Sequence, residues 1–309
     1  MVSIIVPIFN ASAFLRRTLK SITDQTFTDF EVIMIDDGST DDSAEICKLY
    51  VEKDKRFNYF FKSNSGVSDA RNLGLNKSIG NYIAFLDADD TYEKLFLEKL
   101  VDLITTNKTI SIAVCDITVI DKDGKKVCSD FKIEQKAVIM TDYEFCAKQN
   151  FLGAATLWNK IYRKEVFENL RFPSGLLFED NYVFHEIFGN LKYSLVLLNE
   201  YLYNYHHNSS SITRKQLTFG RYKDYIKGLT RRFDFFTSNP VFSCAASQTK
   251  NLILYEIVQN FISNEIVRND LTSRKFLSKF LLTSNVHYKT KALVFLKLFL
   301  SSISFKSRN

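Results

Sequence analysis

Two acidic clusters stand where apolar runs end. Ile33-Met34-Ile35 leads into Asp36-Asp37-Gly38-Ser39, and Tyr82-Ile83-Ala84-Phe85-Leu86 leads into Asp87-Ala88-Asp89-Asp90. Crowded carboxylates repel one another and need a cation or a cationic partner. An Asp-X-Asp offers the hard oxygen ligands that magnesium and manganese prefer. A divalent metal ion carrying a nucleoside diphosphate is the natural tenant of such a pair. Other nucleotide-binding devices are missing: no Gly-X-Gly-X-X-Gly, no Walker loop and no Gly-X-Ser-X-Gly elbow occurs in the chain. Instead, the first apolar run ends in Pro7-Ile8-Phe9-Asn10, where an aromatic ring can stack on a base. The Asp36–Ser39 stretch can accept hydrogen bonds from a base N–H or a ribose hydroxyl. Ser65 to Asn72 opens a helix whose positive end, with Arg71, faces anionic groups.

The elements that must position these residues alternate. Strands are predicted at 2–8, 30–35, 57–61 and 82–86, and helices at 13–25, 44–51, 66–77 and 95–105. Thr40 to Ser43 supplies helix-start residues, and Asp41 and Asp42 read as no more than that. Four strand–helix repeats imply an α/β fold with a doubly wound, mostly parallel sheet. Ligands of such sheets bind beyond the carboxyl ends of the strands, where both acidic clusters fall. After residue 110 the pattern changes. A long strand at 110–120 is followed by an Asp121-Lys122-Asp123-Gly124 hairpin signal. Thr141-Asp142-Tyr143-Glu144 reads as a capping box opening a short helix. A helix at 178–188 carries Glu179 and Asp180 in its first turn, and a strand follows at 193–205. From residue 216 the pattern is helical, at about 216–236, 245–267, 272–283 and 287–304. Two regions are expected, 1–213 and a helical extension at 214–309.

Composition adds a charge division. Residues 214–309 hold 17 Lys and Arg against 5 Asp and Glu, a net +12, whereas the rest nets −6. Such asymmetry points the C-terminal region toward an anionic surface. Residues 292–305 are too short to span a bilayer, which takes about 20 apolar residues. With Lys289, Lys291, Lys297, Lys306 and Arg308 around them, they resemble a surface-lying amphipathic helix; a helix docked on the protein's own core is the plain alternative. Five scattered cysteines without a Cys-X-X-Cys argue against a metal or disulfide framework and fit a reducing, cytoplasmic setting. No basic stretch precedes Val2, so no signal peptide is expected.

Taken together, Val2 to Asn10, Asp36 to Asp41, Gly66 to Asn72 and Asp87 to Asp90 resemble the family-2 glycosyltransferases of the GT-A fold, over roughly residues 1–213. The resemblance implies transfer of a sugar from a UDP-sugar with inversion at the anomeric carbon, and Mn2+ or Mg2+ as cofactor. It implies that Phe9, beside Pro7, stacks on the base. Asp37 would recognise uracil, with Asp36 a weaker candidate. Arg71 would lie near the diphosphate. Asp87, Ala88 and Asp89 would form the Asp-X-Asp that meets ribose and metal, Asp89 being the direct ligand. Phe178-Glu179-Asp180 matches the acceptor-side acidic motif, with Asp180 the general base. The chemistry agrees: single displacement needs one base at the acceptor hydroxyl and charge neutralisation on the departing diphosphate.

Other residues read two ways. Asp90 serves as a helix cap or a second metal ligand, and Glu179 contacts acceptor or simply solvates its helix start. His206 and Arg214 flank the diphosphate or belong to an ordinary polar loop; Trp158 and Lys160 line the acceptor pocket or the core; His185 is structural. The rival functions are a non-catalytic nucleotide-sugar or partner-binding module, and a sugar nucleotidyltransferase. Intact Asp37, Asp89 and Asp180 speak against the first; the lack of a Gly-rich, Arg-containing loop after the first strand speaks against the second. The expected acceptor is a lipid-linked saccharide of bacterial O-antigen, capsule or other surface-glycan synthesis, met on the inner face of the cytoplasmic membrane. Nucleic acid is not among the expected partners.

Overall fold

The computed structural model describes residues 1–128, 136–141, 156–189, 194–208 and 218–263. The chain divides into two compact units, Met1–Lys215 and Gln216–Asn309. The first opens with β1 (Val2–Ile8), α1 (Ser12–Thr23), β2 (Phe30–Asp36), α2 (Ser43–Lys53), β3 (Phe57–Phe61), α3 (Val67–Lys77) and β4 (Tyr82–Phe85). It continues with β5 (Thr91–Tyr92), α4 (Phe96–Thr106), β6 (Ile110–Ile120), β7 (Lys126–Cys128), β8 (Ala137–Met140), β9 (Lys160–Arg163), α5 (Glu179–Phe188) and β10 (Ser194–His206). The capping box at residues 141–144 lies mostly outside the described residues, as do the helices expected at 272–283 and 287–304.

The strands form one sheet in the order β3-β2-β1-β4-β9-β6-β10-β5, with β7 beside β6 and β8 beside β10. β3, β2, β1 and β4 pair in parallel. β9 runs antiparallel to both β4 and β6, and β10 is parallel to β6. The sheet is therefore mixed, and its parallel half is the part legible as strand–helix repeats. β9 escapes that pattern because it is four residues long and reads Lys-Ile-Tyr-Arg, with charge at both ends. The hairpin expected at 121–124 is present: Gly124 adopts φ +78°, and β7 folds back on β6.

Burial explains the apolar runs. Every residue of β2 is buried, as is β1 except for the half-buried Pro7, as a strand covered on both faces requires. α1 contributes Leu15, Thr18, Leu19 and Ile22 to the core. α3 lies so close to β1 that a Cβ on Gly74 would come 2.4 Å from Ile5 Cγ2. That close seating fixes the height of α3 over the carboxyl ends of β1, β2 and β4. In the second unit, α6 (Phe219–Thr237) and α7 (Ser243–Ser263) pack together around a turn at Pro240–Phe242, with Phe235, Phe236 and Phe242 in ring contact. Among the described residues no helix is long and apolar enough to cross a membrane.

Asp41 does more than start one helix. Its Oδ2 accepts from Ser12 N–H at 2.9 Å and its Oδ1 from Ser43 N–H at 3.0 Å, so it serves the first turns of both α1 and α2. Burial alone would raise its pKa, but the hydrogen bonds from Ser43 and Ser12 win and hold it at about 2. Asp41→Ala should cost about 1 kcal/mol at neutral pH, read as a lower urea midpoint. A depressed carboxyl pKa gives stability that is complete above 3.8 and lost as pH falls through about 2. Variant and wild type should therefore converge in that acid window.

Candidate active site

Side chains from β1, β2 and β4 meet at one sheet edge. Phe9, just past β1, is 52% exposed. Asp36 is fully buried and committed to the fold: Oδ1 accepts from Ser39 N–H at 2.8 Å and Oδ2 from the Tyr59 hydroxyl at 2.7 Å. Asp37 organises the loop before α3. It accepts from Lys62 Nζ, from Ser65 N–H at 2.9 Å and from Gly66 N–H at 2.8 Å. The anion facing the start of α3 is thus the protein's own Asp37. Gly38 makes the turn possible, with φ +78° and only 2.9 Å between a would-be Cβ and Asn64 N.

The Asp87–Asp90 turn is held from two sides. On one side α1 reaches over it: the Thr18 hydroxyl lies 2.9 Å from Ala88 O and 2.8 Å from Asp90 O, and Arg17 donates to Asp89 O at 2.7 Å. On the other side β10 grips Asp90, whose carboxylate accepts from the Tyr203 hydroxyl at 2.6 Å and from His206 N–H at 2.8 Å. Asp90 is fully buried, so it is neither a helix cap nor placed to meet a metal. Burial drives its pKa well up, and the charges of Asp89 and Asp87 add to the effect. Asp89 carries its carboxylate toward Asn208, which donates to Oδ2. Burial and the neighbouring Asp87 raise the Asp89 pKa to about 6. Asp87 is also raised, chiefly by burial, with Arg71 opposing and Glu179 adding to the rise.

Asp180 arrives from the far side. The chain enters α5 through Phe178, a non-glycine residue at φ +60° and ψ +42°. A left-handed residue of this kind costs about 1–2 kcal/mol and persists only when its surroundings enforce it. Glu179 and Asp180 then occupy the first helical turn, where the helix dipole favours anions. Asp180 Oδ1 accepts from Asn181 N–H at 2.7 Å. Arg71 lies between the two halves. It donates to Glu179 Oε1 through Nη1 and to Asp87 Oδ1 at 3.2 Å through Nη2, and is 5% exposed. Burial works against its charge, but Glu179 and then Asp87 more than compensate, and Asp180 contributes as well.

The remaining expected site residues fall elsewhere. Trp158 is a core residue stacked on Tyr203, with ring centroids 4.2 Å apart, and also on Tyr205. Lys160 is fully buried on β9 and donates to Thr156 O and Asn159 Oδ1, both at 2.6 Å, so it does not line an open acceptor pocket. His206 ends β10 with its ring 3.0 Å from the Thr91 hydroxyl, and burial, aided by Arg17 and Lys126, lowers its pKa to about 4. His185 is buried. Arg214 lies outside the described residues.

Residues 3–171 match the family described as glycosyl transferase family 2. The chain belongs to that family. Glycosyltransferase GlyA of Streptococcus pneumoniae serotype 4 is 34% identical over 221 residues, which make up 69% of this chain and 31% of GlyA. The chain therefore spans less than a third of that relative's length. S. aureus TarS 1–349, solved in complex with UDP-GlcNAc, superposes with a TM-score of 0.69 at 20% identity, over 94% of this chain and 83% of its own. Mannosyltransferase PcManGT from Pyrobaculum calidifontis, solved with GDP-Man and Mn2+, gives a TM-score of 0.51 at 13% identity, over 99% and 86%. These two likenesses speak for the fold, which is GT-A.

Within this family-2 frame, several neighbours of the carboxylates had no signature of their own in the sequence. Lys62, Asn208 and the α1 pair Arg17 and Thr18 belong to that group, because their partners are remote in the chain. Lys160 is the most testable of the buried charges. Burial brings its pKa from 10.5 down to about 7, against the pull of Asp180. The unfolded chain then binds more protons than the folded one between those values, so this lysine adds stability as pH rises from about 7 toward 10.5. Lys160→Met should abolish that increment. Urea melts of both proteins across the window check it, and a stability difference independent of pH would refute it.

Proposed function

We propose that this chain transfers a sugar from a UDP-sugar to a hydroxyl of a saccharide acceptor, with inversion at the anomeric carbon. One observation carries the reading: Asp87, just past β4, and Glu179, the neighbour of Asp180 at the start of α5, both pair with the buried Arg71. A single displacement needs that opposition of a leaving-group site and a base. Family membership and the UDP-GlcNAc complex of TarS support the donor class.

In this reading the exposed Phe9 ring stacks on uracil, next to Pro7. Asp37 has about four acceptor positions, of which Lys62, Ser65 and Gly66 use three, leaving one for a base N–H. Asp87 and Ala88 border the ribose. Asp180 takes the proton of the acceptor hydroxyl as that oxygen attacks the anomeric carbon and the bond to the UDP oxygen breaks. Asp89, helped by Asp87, suits Mn2+ or Mg2+. Burial and the charge of Asp87 raise its carboxyl pKa to about 6. No cluster of three or more potential ligands occurs among the described residues. One or two carboxylates plus diphosphate oxygens is how magnesium is usually held. Such an ion would supply charge neutralisation on the departing diphosphate. The basic region at 214–309 would bring the enzyme to an anionic membrane surface on the cytoplasmic side, where a lipid-linked acceptor of surface-glycan synthesis is found.

A panel of UDP-sugars assayed by UDP release identifies the donor. Asp180→Asn should lower kcat roughly a thousandfold while UDP affinity stays within a few-fold. Near-normal turnover would remove Asp180 from the base role. Asp89→Ala should lose both activity and the Mn2+-dependent part of UDP binding in calorimetry. Full activity of the wild type in excess EDTA would contradict metal use.

A further inference from the structure

α3 holds the base-bearing segment at several points. Between the 3-10 turn at Lys164–Phe167 and α5, the chain has no regular structure. Successive residues of α3 hold it. Asn72 clamps Phe172 in both directions, donating to its carbonyl at 2.8 Å and accepting from its N–H at 2.9 Å. Asp69 accepts from the Ser174 hydroxyl, and Asn76 accepts from Arg171 at 3.1 Å. Arg71 completes the series by pairing with Glu179, one residue before Asp180. The same guanidinium pairs with Asp87 and lies 5.8 Å from the Phe172 ring centroid.

We propose that Arg71 is a positioning residue that sets the separation between the donor carboxylates and the base. It fixes Glu179, and with it the first turn of α5, against the end of β4, and so aims Asp180. The proposal rests on the reading of Asp180 as base and of Asp87 and Asp89 as the donor side. A direct contact with diphosphate is the competing role. At 5% exposure, with both terminal nitrogens already on carboxylates, Arg71 has little of its guanidinium open to such a contact. Lysine cannot take its place, because a point charge does not span two carboxylates as a planar fork does.

Arg71→Lys, Glu179→Gln and the double variant test this, each checked for folding by circular dichroism melts. The milder substitutions keep the test open if Arg71→Met fails to fold. Misplacing a base by about 1 Å costs about a hundredfold in rate. Arg71→Lys should therefore lower kcat by about that factor, while the KM for UDP-sugar and the calorimetric Kd for UDP with Mn2+ change less than about threefold. Glu179→Gln should lower kcat in the same manner, and the double variant should be little worse than Arg71→Lys, since both act on one contact. A more than tenfold weakening of UDP binding by Arg71→Lys with kcat kept would overturn the proposal in favour of a diphosphate contact. Unchanged kcat in the folded single variants would overturn it as well. Failure of the wild-type protein to bind UDP is a separate result: it removes the donor reading first, and this proposal with it.

Discussion

Arg71 is buried between Asp87 and Glu179, and the geometry of the candidate site depends on that placement. A charge taken out of water needs its partners close and well aligned, and removing one partner of a buried pair costs about 3–5 kcal/mol. Neither carboxylate can drift without leaving the guanidinium uncompensated. The end of β4 and the start of α5 are therefore tied to one point on α3. The height of α3 is in turn set by Gly74, where the helix backbone comes too close to Ile5 for any side chain.

The acidic character of the face is managed by cations placed in different ways. Lys62 reaches Asp37 from the loop after β3, and Arg71 sits between Asp87 and Glu179. Among the described residues, Asp89 meets the Asn208 amide with its carboxylate and Arg17 with its main-chain oxygen. Burial and Asp87 leave its carboxyl raised to about 6, an environment that added positive charge would relieve.

What could be read in the sequence was what is encoded locally. Strand ends follow from short apolar runs, so Asp37, Asp87 and Asp89 could be placed at a sheet edge from their neighbours alone. Asp180 could be placed in the first turn of a helix for the same reason. Residues whose surroundings are assembled from distant segments could not be read. Asp90 had two readings, and its actual partner Tyr203 lies 113 positions away. Trp158 looked available for an acceptor because nothing nearby showed that Tyr203 and Tyr205 would stack on it. Arg71 could be placed at a helix start from its neighbours, but its pairing with Glu179, 108 positions distant, could not be read.

The four residues of β9 carry a consequence for how the molecule comes into being. Strands β1 to β4 can pair as soon as residues 1–85 are available, but the outer edge of β4 waits for residues 160–163, which also supply the bridge to β6. During synthesis that edge is bare while some seventy-five further residues emerge, and an unpaired strand edge is a template for pairing with other chains. The late strand answers this with Lys160 and Arg163 at its ends: Arg163 donates to Ile110 O at 2.7 Å and Ile104 O at 2.9 Å, stitching the newcomer to α4 and β6 on arrival. The closing of the sheet and the burial of Lys160 are thus one event in the birth of the fold.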